Sequence, residues 1–137
     1  MKKHTVMFID DDESFLYLMK RVIKKVENVS ECITADNGKE GIERLKIFLD
    51  QKNSLPKLVF IDINMPVMNG FEFMDAFNQL KKDFPELEVI HPIVMLTSSD
   101  EKKDKSKAKT LNVSRYIIKP QNYKKMIDII TEILDEQ

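Results

Sequence analysis

Tryptophan is absent from this 137-residue chain, which has three glycines and a single cysteine. One thiol, Cys32, excludes an internal disulfide, and a reducing, cytoplasmic compartment is the expectation. No apolar stretch approaches the ~20 residues a membrane-spanning helix needs. Met1-Lys2-Lys3-His4 leads into a short apolar run that meets aspartates at once, so no secretory leader is expected. Neither sign of charge dominates. The net charge of −1 removes any general pull toward nucleic acid or anionic membrane. Internal repeats and low-complexity segments are also missing. What remains is an ordinary globular composition, 42% apolar and 33% charged. The length suits one domain with one core, expected over residues 1–137.

Short apolar runs alternate with segments of helical period. Thr5–Ile9 is apolar on both faces and stops at Asp10, as a central parallel strand would. Phe15, Leu18, Met19, Val22 and Val26 then share a helical face. Val29–Thr34 reads as an edge strand holding Cys32 as a small core residue. Asp36-Asn37-Gly38 starts a second helix carrying Ile42, Leu45 and Phe48 or Leu49. Leu58–Ile61 stops at Asp62, Met65-Pro66 breaks the chain, and Asn69-Gly70 turns it. Phe73, Met74, Phe77 and Leu80 form the next helical stripe. Ile93–Leu96 ends at Thr97-Ser98-Ser99-Asp100, which reads as a helix cap for a lysine-rich helix over Glu101–Thr110. Tyr116–Ile118 stops at Lys119-Pro120. Tyr123, Met126, Ile127, Ile130 and Leu134 close the chain as an amphipathic helix. Five such strand–helix repeats predict an α/β fold, a doubly wound parallel sheet with helices on both faces.

Such sheets bind ligands where the strands end. Asp10, Asp11, Asp62, Asn64, Thr97 and Lys119 all lie just past apolar runs and are expected on one rim. Three carboxylates brought together repel; two charges ~4 Å apart cost about 4 kcal/mol at an effective dielectric of ~20. A hard divalent cation relieves this, and Mg²⁺ suits oxygen ligands with open water positions. A carboxylate can also attack phosphorus to give an acyl phosphate, provided the phosphoryl oxygens are neutralised. A metal, an ammonium and a hydroxyl would do so. Taken singly, each residue has a plainer reading. The acid run could start a helix, Asp62 could belong to a turn, and the lysine run could be a solvated face or greet an acidic partner. His4 and His91 have no His or Cys partner at ligand spacing and read as structural or surface residues. The joint placement of Asp10, Asp11, Asp62, Thr97 and Lys119 after strands one, three, four and five favours the chemical reading.

Together, FIDDDE, FIDINMPVMNG, VMLTSS and YIIKP, in that order, resemble the two-component response-regulator receiver domains, over nearly the whole chain. The resemblance implies a flavodoxin-like sheet of order 2-1-3-4-5 and a stand-alone, chemotaxis-type signalling switch. By position it implies Asp62 as phospho-acceptor and Asp11 as the direct Mg²⁺ ligand. Asp10 would organise the metal and its waters, and Asn64 would offer its backbone carbonyl. Thr97 would be the switch hydroxyl, Lys119 the ammonium partner of the phosphoryl group, and Tyr116 the switch aromatic. Pro120 is expected to follow a cis peptide bond. The donor would be a sensor histidine kinase or phosphotransfer protein. The downstream protein would meet the face of the fourth helix, fifth strand and fifth helix, with no nucleic acid contact. Gln121 stands where such domains often carry Phe, and the stretch around Asp83–Glu88 is long. Two rival readings are an aspartyl-phosphate phosphohydrolase and a receiver-like module that takes no phosphate. Asn64 in place of a second acid opposes the first; the intact set of Asp11, Asp62, Thr97 and Lys119 opposes the second.

Overall fold

The computed structural model describes residues 3–52, 54–98 and 101–136. Five strands alternate with five helices: β1 His4–Ile9, α1 Glu13–Ile23, β2 Val29–Ala35, α2 Gly38–Gln51, β3 Leu58–Ile61, α3 Gly70–Asp83, β4 Ile93–Thr97, α4 Lys102–Thr110, β5 Arg115–Ile118 and α5 Lys124–Asp135. All strand pairs are parallel, in the order β2-β1-β3-β4-β5. Among the described residues, no helix is long and apolar enough to cross a membrane.

Because side chains alternate across a strand, a run apolar on both faces feeds two cores. Val6 and Phe8 of β1 face α1 and α5, packing with Leu16, Met19, Val22, Ile130 and Ile133. Met7 and Ile9 face α2 and α3, packing with Ile42, Leu45, Phe73, Met74 and Phe77. The long stretch after α3 is a 3₁₀ turn, Pro85–Val89, that inserts a fully buried Leu87 into this second core. α4 is the exception among the helices: Ala108 is its one buried residue.

Two expectations about chain breaks are corrected. Asn69-Gly70 is a helix start: Asn69 and Glu72 form a reciprocal capping box for α3. Thr97 does not cap α4. It completes β4 and is buried, and Glu101 occupies the cap position of α4. Ser98 is an exposed bend residue, while Ser99 and Asp100 lie outside the described residues.

Candidate phosphoryl-transfer site at the strand ends

Strand register carries the acids to one rim. Ile9 pairs with both Ala35 and Ile61, and Ile61 pairs with Met95. The next residues extend that ladder: the Asp10 N–H donates to the Ala35 carbonyl at 3.0 Å and the Asp62 N–H to the Ile9 carbonyl at 3.0 Å. Lys119 is tied in from the far side, its N–H donating to the Thr97 carbonyl at 2.7 Å. Thus Asp10, Asp11, Asp62, Thr97 and Lys119 are brought together from the ends of four strands.

Carboxylate oxygens of Asp10, Asp11 and Asp62 all lie within 4.8 Å of one another. Asp10 is 2% exposed and Asp62 9%, whereas Asp11 is exposed. Each buried acid has one oxygen held and one turned to Lys119. Asp10 Oδ1 accepts the Asp12 N–H at 3.0 Å and Asp62 Oδ1 accepts the Ile63 N–H at 2.8 Å. Lys119 Nζ stands 2.7 Å from Asp10 Oδ2 and 3.6 Å from Asp62 Oδ2. Burial pushes the Asp10 carboxyl above the ordinary range, outweighing the Lys119 hydrogen bond that pulls it down. Burial alone would lower the Lys119 ammonium, but the hydrogen bond and charge of Asp10, with Asp62 behind it, hold it above the usual lysine range.

One ammonium against three acids leaves the cluster short of positive charge. The donor set is hard oxygen, so the residues fit a divalent cation with open coordination positions. Asp10, Asp11 and Asp62 would hold it, with the Asn64 carbonyl, on an exposed residue two positions past Asp62, as a further donor.

A family model described as "Response regulator receiver domain" matches residues 6–131. The chain belongs to that family. As a receiver it is similar to chemotaxis protein CheY of Halobacterium salinarum, 28% identical over 94% of this chain and 95% of that protein. It is also similar to protein PilH of Pseudomonas aeruginosa, 27% identical over 94% and 96% of the two chains. Among solved structures, the phosphorylated cyanobacterial phytochrome response regulator RcpA superposes with a TM-score of 0.78, at 25% identity over 97% of this chain and 92% of that one. The receiver also matches 30% of the length of the protein-glutamate methylesterase of Desulfotalea psychrophila, so the same unit occurs within longer enzymes. Receivers of this type are two-component signalling proteins that use a divalent metal and meet histidine kinases and downstream targets.

Several details depart from or add to the sequence reading. The Lys119–Pro120 bond is trans. Among the described residues the cis bond is His91–Pro92, ahead of β4. Trans is the lower-energy isomer of an X–Pro bond, so it stands wherever the surroundings do not oppose it. Tyr116 is half-buried on β5, with Lys105 Nζ 5.9 Å from its ring centroid. Asp12, the third acid of the run, is the N-cap of α1 and accepts the Phe15 N–H. Cys32 is half-buried on β2, and burial pushes its thiol up to about 11.

The sequence reading missed two residues beside the acids. Gly70 packs its α-carbon against the backbone of Asp62, where a Cβ would overlap the Asp62 carbonyl oxygen. The Asn69-x-x-Glu72 capping pattern is the signal that would have placed Gly70 at a helix start, aimed back at the strand end. Phe15, read as a core-facing helix residue, lies with its ring centroid 4.5 Å from Lys119 Nζ. No spacing rule in the sequence points to that contact.

Proposed function

We propose that Asp62 accepts a phosphoryl group from a phosphohistidine of a partner kinase or phosphotransfer protein, with Mg²⁺ as the divalent metal. The observation that carries the reading is the Lys119 ammonium shared between Asp10 and Asp62 beside a third carboxylate, on the rim where β1, β3, β4 and β5 end. An Asp62 carboxylate oxygen attacks phosphorus, the P–N bond breaks as the P–O bond forms, and the imidazole leaves with the bond's electron pair and takes up a proton. Bound Mg²⁺ would supply positive charge to the three acids and the phosphoryl oxygens. Lys119 offers a second positive contact, and Thr97, buried at the end of β4, offers a hydroxyl when the next loop moves toward the new charge. The phosphorylated state reported for RcpA is consistent with this chemistry in a relative.

Phosphorylation brings roughly two negative charges and three acceptor oxygens to the rim. That favours whichever arrangement of Thr97, Tyr116 and α4 meets them better. The downstream target is assigned to the face of α4, β5 and α5. Ile118 exposes apolar surface there, and α4 places Lys102, Lys103, Lys105, Lys107 and Lys109 against one acid, Asp104.

The test is intact mass after incubation with Mg²⁺ and acetyl phosphate. The expected product is about 80 Da heavier and is absent from Asp62→Ala. Phosphate release without an adduct would instead mark a phosphohydrolase. Neither adduct nor release would mark a module that only binds.

A further inference from the structure

Lys119 is held on three sides, and the third is aromatic. Asp10 and Asp62 take two directions, and the face of Phe15 lies 4.5 Å from Nζ in another. A ring face attracts a cation, and more strongly where water is partly excluded. The ring itself is braced. Phe15 meets Phe8 edge to face, at 6.3 Å between centroids and 75° between planes. Phe8 in turn stacks on Phe60 at 4.8 Å and 8°, and both are buried to the core. From the other side, the Phe15 N–H is fixed by the Asp12 side chain, directly after the acid run.

A lysine has a long, flexible stem and a strongly hydrated head, so its default is to swing into water. Asp10 makes the shortest of the three contacts, at 2.7 Å, and by itself would draw the ammonium away from Asp62, which it meets at 3.6 Å. The ring occupies space that water would otherwise take and narrows the arc through which Nζ can move. We infer that Phe15 is a positioning residue for the phosphoryl-transfer step, holding the Lys119 ammonium over Asp62 through the face of its ring. It touches no reacting atom. The inference rests on the phospho-acceptor reading of Asp62 and Lys119 and adds a residue to it.

The decisive experiment replaces Phe15 with 4-fluoro-, 3,5-difluoro- and 3,4,5-trifluorophenylalanine in the full chain. Fluorine withdraws charge from the ring face while leaving its shape nearly intact, so the fold and its packing stay constant across the series. The initial rate of adduct formation from acetyl phosphate should fall stepwise with fluorine number, by about threefold to tenfold at the last member. A second readout needs neither metal nor phosphate. The Lys119 Hε resonances should be shifted upfield by the ring in the wild type and return toward ordinary lysine positions in Phe15→Leu. A rate that is flat across the fluorine series, or Lys119 Hε resonances already at ordinary positions in the wild type, overturns the role of Phe15. A wild type that forms no adduct at all overturns the phospho-acceptor reading, and the role given to Phe15 with it.

Discussion

The Asp10 carboxylate sits where folding opposes its charge. The sign of its shift says how that cost depends on pH. A carboxyl whose proton is held more tightly in the folded chain than in the unfolded one contributes stability below the ordinary carboxylate range, and loses it as pH rises through the raised folded value. Lys119 is also raised, so its contribution is intact at neutral pH and disappears only as pH climbs through the alkaline lysine range. At pH 7 without metal, the net burden is therefore on Asp10. Replacing it with Asn keeps an oxygen for the Asp12 N–H and removes the buried charge. Asp10→Asn should resist urea better than wild type by on the order of 1 kcal/mol in metal-free buffer, and should form little or no phospho-adduct. The advantage should shrink as pH is lowered and the wild-type carboxyl takes up its proton. A variant less stable than wild type at pH 7 would show that the lost pairing with Lys119 outweighs the relief of burying the Asp10 charge. This residue is legible in the sequence only in company: an acid run after one strand could simply start a helix, but Asp62, Thr97 and Lys119 after three others point to a shared rim. Phe15 was not legible: its apolar helical spacing looks the same whether the ring faces a core or an ammonium.

At the scale of elements, strands were easier to read than helix ends. Leu58–Ile61 was placed to the residue because apolar character on both faces ends sharply at a buried acid. The start of α3 reads as a turn in the sequence because Asn-Gly suits both, and the discriminating Glu72 lies three residues on. The difference matters for function, since α3 begins by pressing Gly70 against the peptide after the acceptor. In Gly70→Ala the methyl group must push the Asp62–Ile63 backbone aside. The expected result is at least a tenfold loss in adduct formation from a chain that still unfolds cooperatively, because a shift of about 1 Å at the reacting group is enough. Full activity in Gly70→Ala would show that the contact relaxes harmlessly. α4 presents the opposite case. Its length was legible from composition, but nothing in the sequence says how it is held. Ala108 is its one buried residue, and Lys107 over Phe71 at 4.7 Å and Lys105 near Tyr116 at 5.9 Å lie beside a solvated lysine surface. α5 buries Met126, Ile130, Ile133 and Leu134. Amide hydrogen exchange in α4 should therefore be much faster than in α5 or the central strands. Equal protection of the two helices would refute the loose attachment of α4, and with it the idea that this helix carries the phosphorylation-dependent shift.

Across the whole molecule, the same strand ends that finish the two cores also assemble the acids, so fold and site cannot be tuned separately. β1 and β3 are buried over both faces and deliver Asp10 and Asp62 to the rim at matched register. Their side chains repel there, and a cation that binds only the folded arrangement must then stabilise the fold as a whole. For a ligand that prefers the native state, the gain is RT ln(1 + [L]/Kd), about 2.7 kcal/mol at a hundredfold excess over Kd. Adding Mg²⁺ should raise the urea midpoint of the wild type progressively with concentration, while leaving the steepness of the transition unchanged. The increment should be smaller in Asp11→Asn and Asp62→Asn, and it should persist in Lys119→Met, which removes no oxygen ligand. That last comparison separates a metal held by the three carboxylates from general screening of charge: at matched ionic strength, KCl should not reproduce the Mg²⁺ effect in any of these proteins. If wild type and Asp11→Asn gained equally from Mg²⁺, the cluster of acids would not be the ion's site, and the charge imbalance at the rim would have to be met by the phosphoryl donor's partner surface instead.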